Sequence, residues 1–322
     1  MKAIICPKYG APTVLRVGQY PNPTPSNNQL LVQVVASTVN RTDCAILSAR
    51  PFIMRFFTGL LKPKRAILGT EFSGVVLEVG QDVNSFKAGD SVFGFDDLGL
   101  CSHAERMTIE VSKAIARVPG NLSMQQAAAS LEGAHYAYNY INKISIHKGN
   151  KILINGAGGA IGSALLQFCV ELGAEVTAVS DARHCELLIG LGASRFIDYR
   201  ECDFSAEQHQ YEFVFDVVGT HSFARCQPVL TAHGIYICSE LGRYAQNLYL
   251  PLTTRFSRGR KVIFPIPNTI QESLDFILPR LQCKSFVPVL DRSFSLDEIA
   301  AAYEYVASGQ KTGNVVIDIG TK

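Results

Sequence analysis

The run KILINGAGGAIGS, residues 151–163, constrains this chain more than any other stretch. Lys151 to Ile154 form a short apolar run that reads as a buried strand. Asn155 and a cluster of glycines break it, and small and apolar residues from Ala160 to Leu172 continue at helical spacing. Gly156, Gly159 and Gly162 lie three apart. Glycine allows a sharp turn, a close approach of a phosphate to the backbone, and tight packing of helix on strand. The new helix then points unpaired N–H groups at the same spot. The pattern is Gly-x-x-Gly-x-x-Gly, not the commoner Gly-x-Gly-x-x-Gly. Small-residue loops also close ordinary βα turns, so the motif needs its context.

The context is a chain of 322 residues, enough for two domains at about 150 residues each. Hydrophobic residues make up 47% and charged residues 18%, which supports a sizeable core and argues against disorder. A formal net charge of +2 gives no global reason to expect nucleic acid. The nine cysteines are scattered and form no Cys-x-x-Cys pair, which reads as reduced thiols in a cytoplasmic setting. No apolar stretch has the length of a membrane span, and MKAIICPKYG is already strand-like, so neither a membrane nor a targeting segment is expected.

Residues 1 to about 120 read as short strands punctuated by Pro, Gly and Asn. Asn40 and Asp43 follow the strand LLVQVVAST, where a helix could be capped. From Asn121 the pattern changes. Ser123 with Gln126 forms a capping signal, and NLSMQQAAASLEGAHYAYNYI runs helical. From Lys151 strands and helices alternate, which means parallel strands with crossover helices. After residue 265 come an amphipathic helix, an extended stretch, a second helix and a final strand, NVVIDIG. The expected domains are 1–122, 123–265 and 266–322, the last returning to the first.

The second strand of the alternating region, EVTAVS, tests the glycine loop. In a dinucleotide fold its end meets the adenine ribose. An acid there favours a free 2′-hydroxyl, and an arginine without the acid favours a 2′-phosphate. Ser180 aligns with that position and Arg183 follows. A hydroxyl and a guanidinium suit a phosphate, so the expected cofactor is NADP(H). Asp181 keeps NAD(H) open, since a one-residue shift would put a carboxylate on the ribose. The plainer alternative is that Ser180 and Asp181 only cap the next helix. The expected cofactor contacts are Gly156, Ala157, Gly158, Gly159, Ala160 and Ile161 in the loop and first turn, with Ser180 and Arg183. Val218 and Gly219 after FVFD, and Leu241 on the next strand, lie at strand C-terminal ends, where ligands bind in open α/β sheets.

VVASTVNRTD, LGTEFSGVVLEVG, FKAGDSVFGF, ILINGAGGAIGSALLQ, LGASRFIDYR and FVFDVVG, in this order and spacing, resemble the zinc-independent medium-chain dehydrogenases/reductases on the quinone oxidoreductase and enone reductase side. The resemblance covers essentially the whole chain. It implies an α/β fold, a Rossmann doubly wound parallel sheet plus a GroES-like partial β-barrel, and a homodimer. It places Tyr199 beside the adenosine phosphate and Asn314 toward the cofactor. It also implies NADPH-dependent hydride transfer to a small apolar quinone, enone or enal.

Zinc-dependent relatives carry a cysteine where this chain has Asn40 and a histidine where it has Thr70. A carboxamide and a hydroxyl do not replace those ligands. Relatives with a structural zinc have four close cysteines near residues 95–115, where this chain has only Cys101, and Cys101 with His103 makes a poor lone pair. No metal is expected, which disfavours an alcohol dehydrogenase. A carbonyl must then be polarised by hydrogen bonds. Asn40 is the expected substrate-facing group, with simple capping as the equal alternative. An NADPH-binding protein with little turnover, a sensor or nucleic-acid-binding module, stays open beside the enzyme. Two basic runs remain. PFIMRFFTGLLKPKR, residues 51–65, fits an apolar lid over substrate, core packing or membrane contact. RFSRGRK, residues 255–261, reads as a solvated loop.

Overall fold

The computed structural model describes residues 1–52 and 54–320; Ile53, inside the 51–65 run, lies outside them. Seven strands come first: β1 (Lys2–Ile5), β2 (Arg16–Gln19), β3 (Gln29–Val39), β4 (Glu71–Val79), β5 (Ser91–Phe95), β6 (Arg106–Glu110) and β7 (Ile115–Arg117). Six follow in the middle: β8 (Lys151–Asn155), β9 (Glu175–Ser180), β10 (Arg195–Asp198), β11 (Tyr211–Asp216), β12 (Leu230–Cys238) and β13 (Lys261–Ile263). β14 (Leu290–Ser295) and β15 (Asn314–Asp318) close the chain. Two compact units result. One holds residues 1–132, 270–282 and 287–322, and the other 133–269 and 283–286.

In the first unit β3 is the spine. Its side chains alternate, with Leu30, Val32, Val34 and Ala36 buried on one face, as a half-buried strand requires. Of its eleven residues, Leu30 to Ser37 span the antiparallel pairing with β4 on one edge. On the other edge the strand pairs with β6 through Gln29–Gln33 and with β15 through Ala36–Val39. The sheet runs β14-β15-β3-β4-β5-β7, with β6 on β3. Pairing β3 with β15 is what brings the C-terminal residues back to the first unit. At the end of β3 the helix α1 (Arg41–Ser48) begins, with Asn40 as its N-cap, and the short α2 (Met54–Thr58) follows it.

Residues 123–132, expected with the dinucleotide domain, pack in this first unit instead. The Ser123–Gln126 capping box forms and starts α3 (Met124–Ala128). The helix then stops, contrary to the continuous helix expected through residue 141. Ser130 bonds back to the Ala127 carbonyl, and the backbone N–H groups of Leu131 and Glu132 donate to Glu71 Oε1 at 2.6 and 2.7 Å. A buried carboxyl therefore caps the next helix, α4 (Glu132–Ile141), and breaks the run in two.

The second unit is a six-stranded sheet in the order β10-β9-β8-β11-β12-β13, all parallel. That order is the doubly wound one, reversing between β8 and β11. Helix α5 (Ala160–Glu171) follows β8 and is apolar nearly all round, so it is buried along most of its length. Ile152, Leu153 and Ile154 of β8 are fully buried, as a central parallel strand demands.

Candidate functional site

The C-terminal ends of the parallel strands collect the chemistry of the second unit. Gly156 leaves β8 with φ +89°, a conformation that suits glycine, and a Cβ there would stand 2.1 Å from Val218 Cγ2. Gly162 lets α5 sit on the loop, since its Cβ would lie 2.2 Å from the Gly156 carbonyl oxygen. Gly159 is the N-cap of α5 and has room for a methyl group, which would lie 3.7 Å from the Gly156 carbonyl oxygen. Gly158, outside the three-apart pattern, is the glycine that packing against the β9 end requires: its Cβ would strike His184 Nδ1 at 2.4 Å and Ser180 Oγ at 2.6 Å. The loop thus closes directly over the end of β9. Ala157 is buried, and its N–H donates to the Val179 carbonyl at 3.1 Å. Ala160 and Ile161 open α5, where first-turn amides lack a carbonyl one turn earlier. Such unpaired amides are the kind of donor an anion would use.

At the end of β9 the structure gathers Ser180, Asp181, Arg183, His184 and Arg200. Ser180 Oγ lies 2.8 Å from His184 Nδ1, and Arg183 Nε donates to His184 Nε2 at 3.2 Å. With Nε2 accepting, the ring proton sits on Nδ1 and points at Ser180. The serine oxygen then accepts, and its own hydrogen is available to an anion. Asp181 caps the short turn Ala182–His184 through the Arg183 N–H at 3.1 Å, and pairs with Arg200 at 2.6 Å. Its carboxylate is held below the usual range by the Arg183 N–H first, with the Arg200 charge adding to it. Register puts Asp198 of β10 beside Ser180, so Tyr199 and Arg200 follow next to Asp181. The Tyr199 N–H donates to the Ser180 carbonyl, and its ring is half exposed, with the Arg200 guanidinium 5.9 Å from the ring centre.

The β11 end is shaped by Asp216, fully buried. Its Oδ1 accepts from Asn155 Nδ2 at 2.9 Å, the Val218 N–H at 3.2 Å and the Gly219 N–H at 2.8 Å. Its Oδ2 accepts from the His221 N–H and the Tyr236 hydroxyl. Gly219 turns with φ +75°, and Val218 stays exposed. Leu241 is partly exposed at the end of β12. Asn155, which ends the apolar run of β8, joins the β8 and β11 ends across the switch point.

The first unit holds a separate buried polar cluster. Asn40, 2% exposed, donates from Nδ2 to Asn314 Oδ1 at 3.2 Å and accepts on Oδ1 from Lys311 Nζ at 3.0 Å. Lys311 also bonds the Gly313 carbonyl. The structure thus brings Asn40 and Asn314 together and adds Lys311 as the group that fixes the amide's orientation. Asp43 accepts from the Asn40 N–H. Thr70 Oγ1 lies 3.2 Å from Asp43 Oδ1 and 3.1 Å from Glu132 Oε2. A hydroxyl has one hydrogen, so one of those contacts needs a proton on the carboxyl. Burial raises Asp43, Glu71 and Glu132 alike, and it lowers Lys311 to about 8 while the Glu132 charge pulls the other way. Asn40 is therefore held by an amide and an ammonium, with one of its two Nδ2 hydrogens bonded to Asn314, and Thr70 by two carboxyls. Cys101 and His103 diverge: the His103 ring bonds the Thr38 carbonyl at 2.9 Å. Among the described residues no group of three His, Cys, Asp or Glu side chains is placed to hold a metal ion.

Sequence reasoning missed His184, Arg200, Lys311 and Glu132 as site residues. Arg200 had a signal, since it follows Tyr199 at a strand end parallel to β9. His184, four after Ser180 across a turn, had none that distinguishes it from a packing histidine.

A doubly wound sheet with a glycine loop and a cationic cluster at the end of its second strand, joined in one chain to an antiparallel β unit, defines a nucleotide-dependent dehydrogenase or reductase architecture. Residues 26–149 match the alcohol dehydrogenase GroES-like domain, and residues 191–317 match the zinc-binding dehydrogenase domain. The 2-methylene-furan-3-one reductase of Solanum lycopersicum is 28% identical over 98% of this chain and 79% of its own. The chloroplastic NADPH-dependent alkenal/one oxidoreductase of Arabidopsis thaliana is 26% identical over 98% of this chain and 79% of its own. Among solved structures, the quinone oxidoreductase of Coxiella burnetii superposes with a TM-score of 0.85 at 26% identity, covering 99% of each chain. The chain belongs to the medium-chain dehydrogenases/reductases and is quinone oxidoreductase-like.

Proposed function

We propose that the protein is an NADPH-dependent oxidoreductase that reduces a quinone or an α,β-unsaturated carbonyl, without zinc. The observation that carries the cofactor reading is the cluster at the end of β9. Ser180 keeps a hydrogen to donate, Arg183 stands beside it, and Asp181 is occupied by Arg200 at 2.6 Å and by the Arg183 N–H. A carboxylate so engaged is a poor partner for a ribose 2′-hydroxyl. The cations suit a 2′-phosphate. The first-turn amides of α5 would take the pyrophosphate.

The bound nicotinamide would supply the hydride; the chain's own residues bind, orient and exclude water. The relatives named as an alkenal/one oxidoreductase and a quinone oxidoreductase support an activated alkene or quinone as acceptor. Asn40 and Thr70 support a zinc-free site, because neither is a zinc ligand and both are held by other partners. In such a site hydrogen bonds must steady the charge that develops on the acceptor oxygen. Asn40 is our candidate for that donor, oriented by Lys311 and Asn314. Steady-state NADPH oxidation by the chelator-treated protein, against a panel of quinones, enones and enals, tests the reading. Turnover with at least one acceptor is expected. NADPH binding without oxidation by any acceptor would favour a binding protein and sink the enzyme reading.

A further inference from the structure

Between Asp43 and Glu71 the chain carries no acidic residue, yet it carries Arg50, Arg55, Lys62, Lys64 and Arg65. That charge stands out in a chain of net +2. The same stretch exposes its bulky apolar side chains. Phe56 is 65% exposed and Leu61 87%, with Phe52, Phe57 and Leu60 more than half exposed. Core packing of this run, one of the readings open at the sequence level, is therefore excluded for these five.

The exposure is built in, not a loose excursion. The Tyr9 hydroxyl lies 2.8 Å from Thr58 Oγ1 and donates to the Gly59 carbonyl at 2.7 Å. Thr58 and Gly59 are buried by this pin. The Lys64 N–H returns to the Thr58 carbonyl at 2.7 Å, closing the loop. A Cβ on Gly59 would lie 2.1 Å from the Lys62 carbonyl oxygen, so the turn is tight. The Arg55 guanidinium stacks on Tyr9 and Phe52, 5.1 and 5.7 Å from the ring centres. Polar anchors face inward, and the apolar side chains of both limbs are left outward.

We propose that this cation-flanked apolar patch docks the protein on an anionic lipid surface. The contact is peripheral, since no helix among the described residues is long and apolar enough to span a membrane. Aromatic and leucine side chains seat at the boundary of headgroups and acyl chains, and lysine and arginine beside them answer anionic headgroups. A second copy is a poorer occupant. A twofold contact would set the same cations against themselves.

Sedimentation of the full-length protein with vesicles tests this. One set is phosphatidylcholine alone, the other phosphatidylcholine with added phosphatidylglycerol. Binding to the second set only, weakened by high salt, is expected. Phe56→Ser/Leu61→Ser and Lys62→Glu/Lys64→Glu should each lower the partition about tenfold or more, with NADPH affinity and the thermal midpoint unchanged. Absence of binding to the anionic vesicles, equal binding to both sets, or full binding by the Lys62→Glu/Lys64→Glu protein would overturn the proposal. So would a dimer of the unmodified protein that Phe56→Ser/Leu61→Ser dissociates, because the patch would then belong to a second copy.

Discussion

At the end of β9 a few side chains share one small space, and their hydrogen bonds give each a role. The sequence places Ser180 and Arg183 there by counting from the glycines. It leaves Asp181 ambiguous, because a one-residue shift changes the chemistry. The ambiguity lies in side-chain geometry: Asp181 turns to Arg200, which arrives from a different strand. Asn40 has a similar history. Capping and substrate contact look like alternatives in the sequence, but its backbone N–H serves the cap with Asp43 while its side chain serves Lys311 and Asn314. Asn40→Ala is expected to lower kcat about tenfold or more, with NADPH affinity nearly intact. Stopped turnover assays beside a fluorescence titration check it, and an unchanged kcat would remove Asn40 from the chemistry. Thr70→Val removes the hydroxyl between Asp43 and Glu132, leaving buried carboxyl oxygens short of a partner. A loss of roughly 1–3 kcal/mol is expected from denaturant unfolding.

Helix and strand positions in the second unit were legible because each parallel strand is a short apolar run and each turn carries glycine or a small polar residue. The roles of the glycines were not. Three glycines spaced three apart look equivalent, yet their surroundings separate them. Gly162 meets the Gly156 carbonyl oxygen, Gly156 meets Val218, and Gly159 has space. Gly162→Val is therefore expected to abolish NADPH binding and to lower the thermal midpoint, by the usual cost of overpacking or more. Gly159→Ala is expected to keep the fold. Calorimetry of the two variants side by side is the check, and equal damage from both would contradict the packing described. The break between α3 and α4 was also invisible. Local periodicity runs through it, and only Glu71, sixty residues earlier in the chain, stops the helix.

Over the whole molecule, the resemblance of six motifs made both units and the return of the C-terminal strand legible, whereas the boundary expected near residue 122 lies at Glu132, because α3 packs on β3 and β4. Buried histidines give the molecule a measurable pH response. Burial lowers His103 and His135 from 6.5 to about 4. Between those values the unfolded chain binds these protons and the folded one does not, so their contribution to stability falls as the pH falls. The raised carboxyls of Asp43, Glu71 and Glu132 act in the opposite sense, so the test is a difference. His103→Gln should lose less stability than the unmodified protein between pH 6.5 and 4, by on the order of 3 kcal/mol. Parallel melts across that range would show it. In the proposed function the β9 and β10 ends read the 2′-phosphate of NADPH. The ratio of kcat/KM for NADPH to that for NADH, with one acceptor, tests it most directly. A preference for NADPH on the order of a hundredfold is expected, falling toward parity in Arg183→Ala/Arg200→Ala. A preference for NADH, or a ratio untouched by the double substitution, would contradict it.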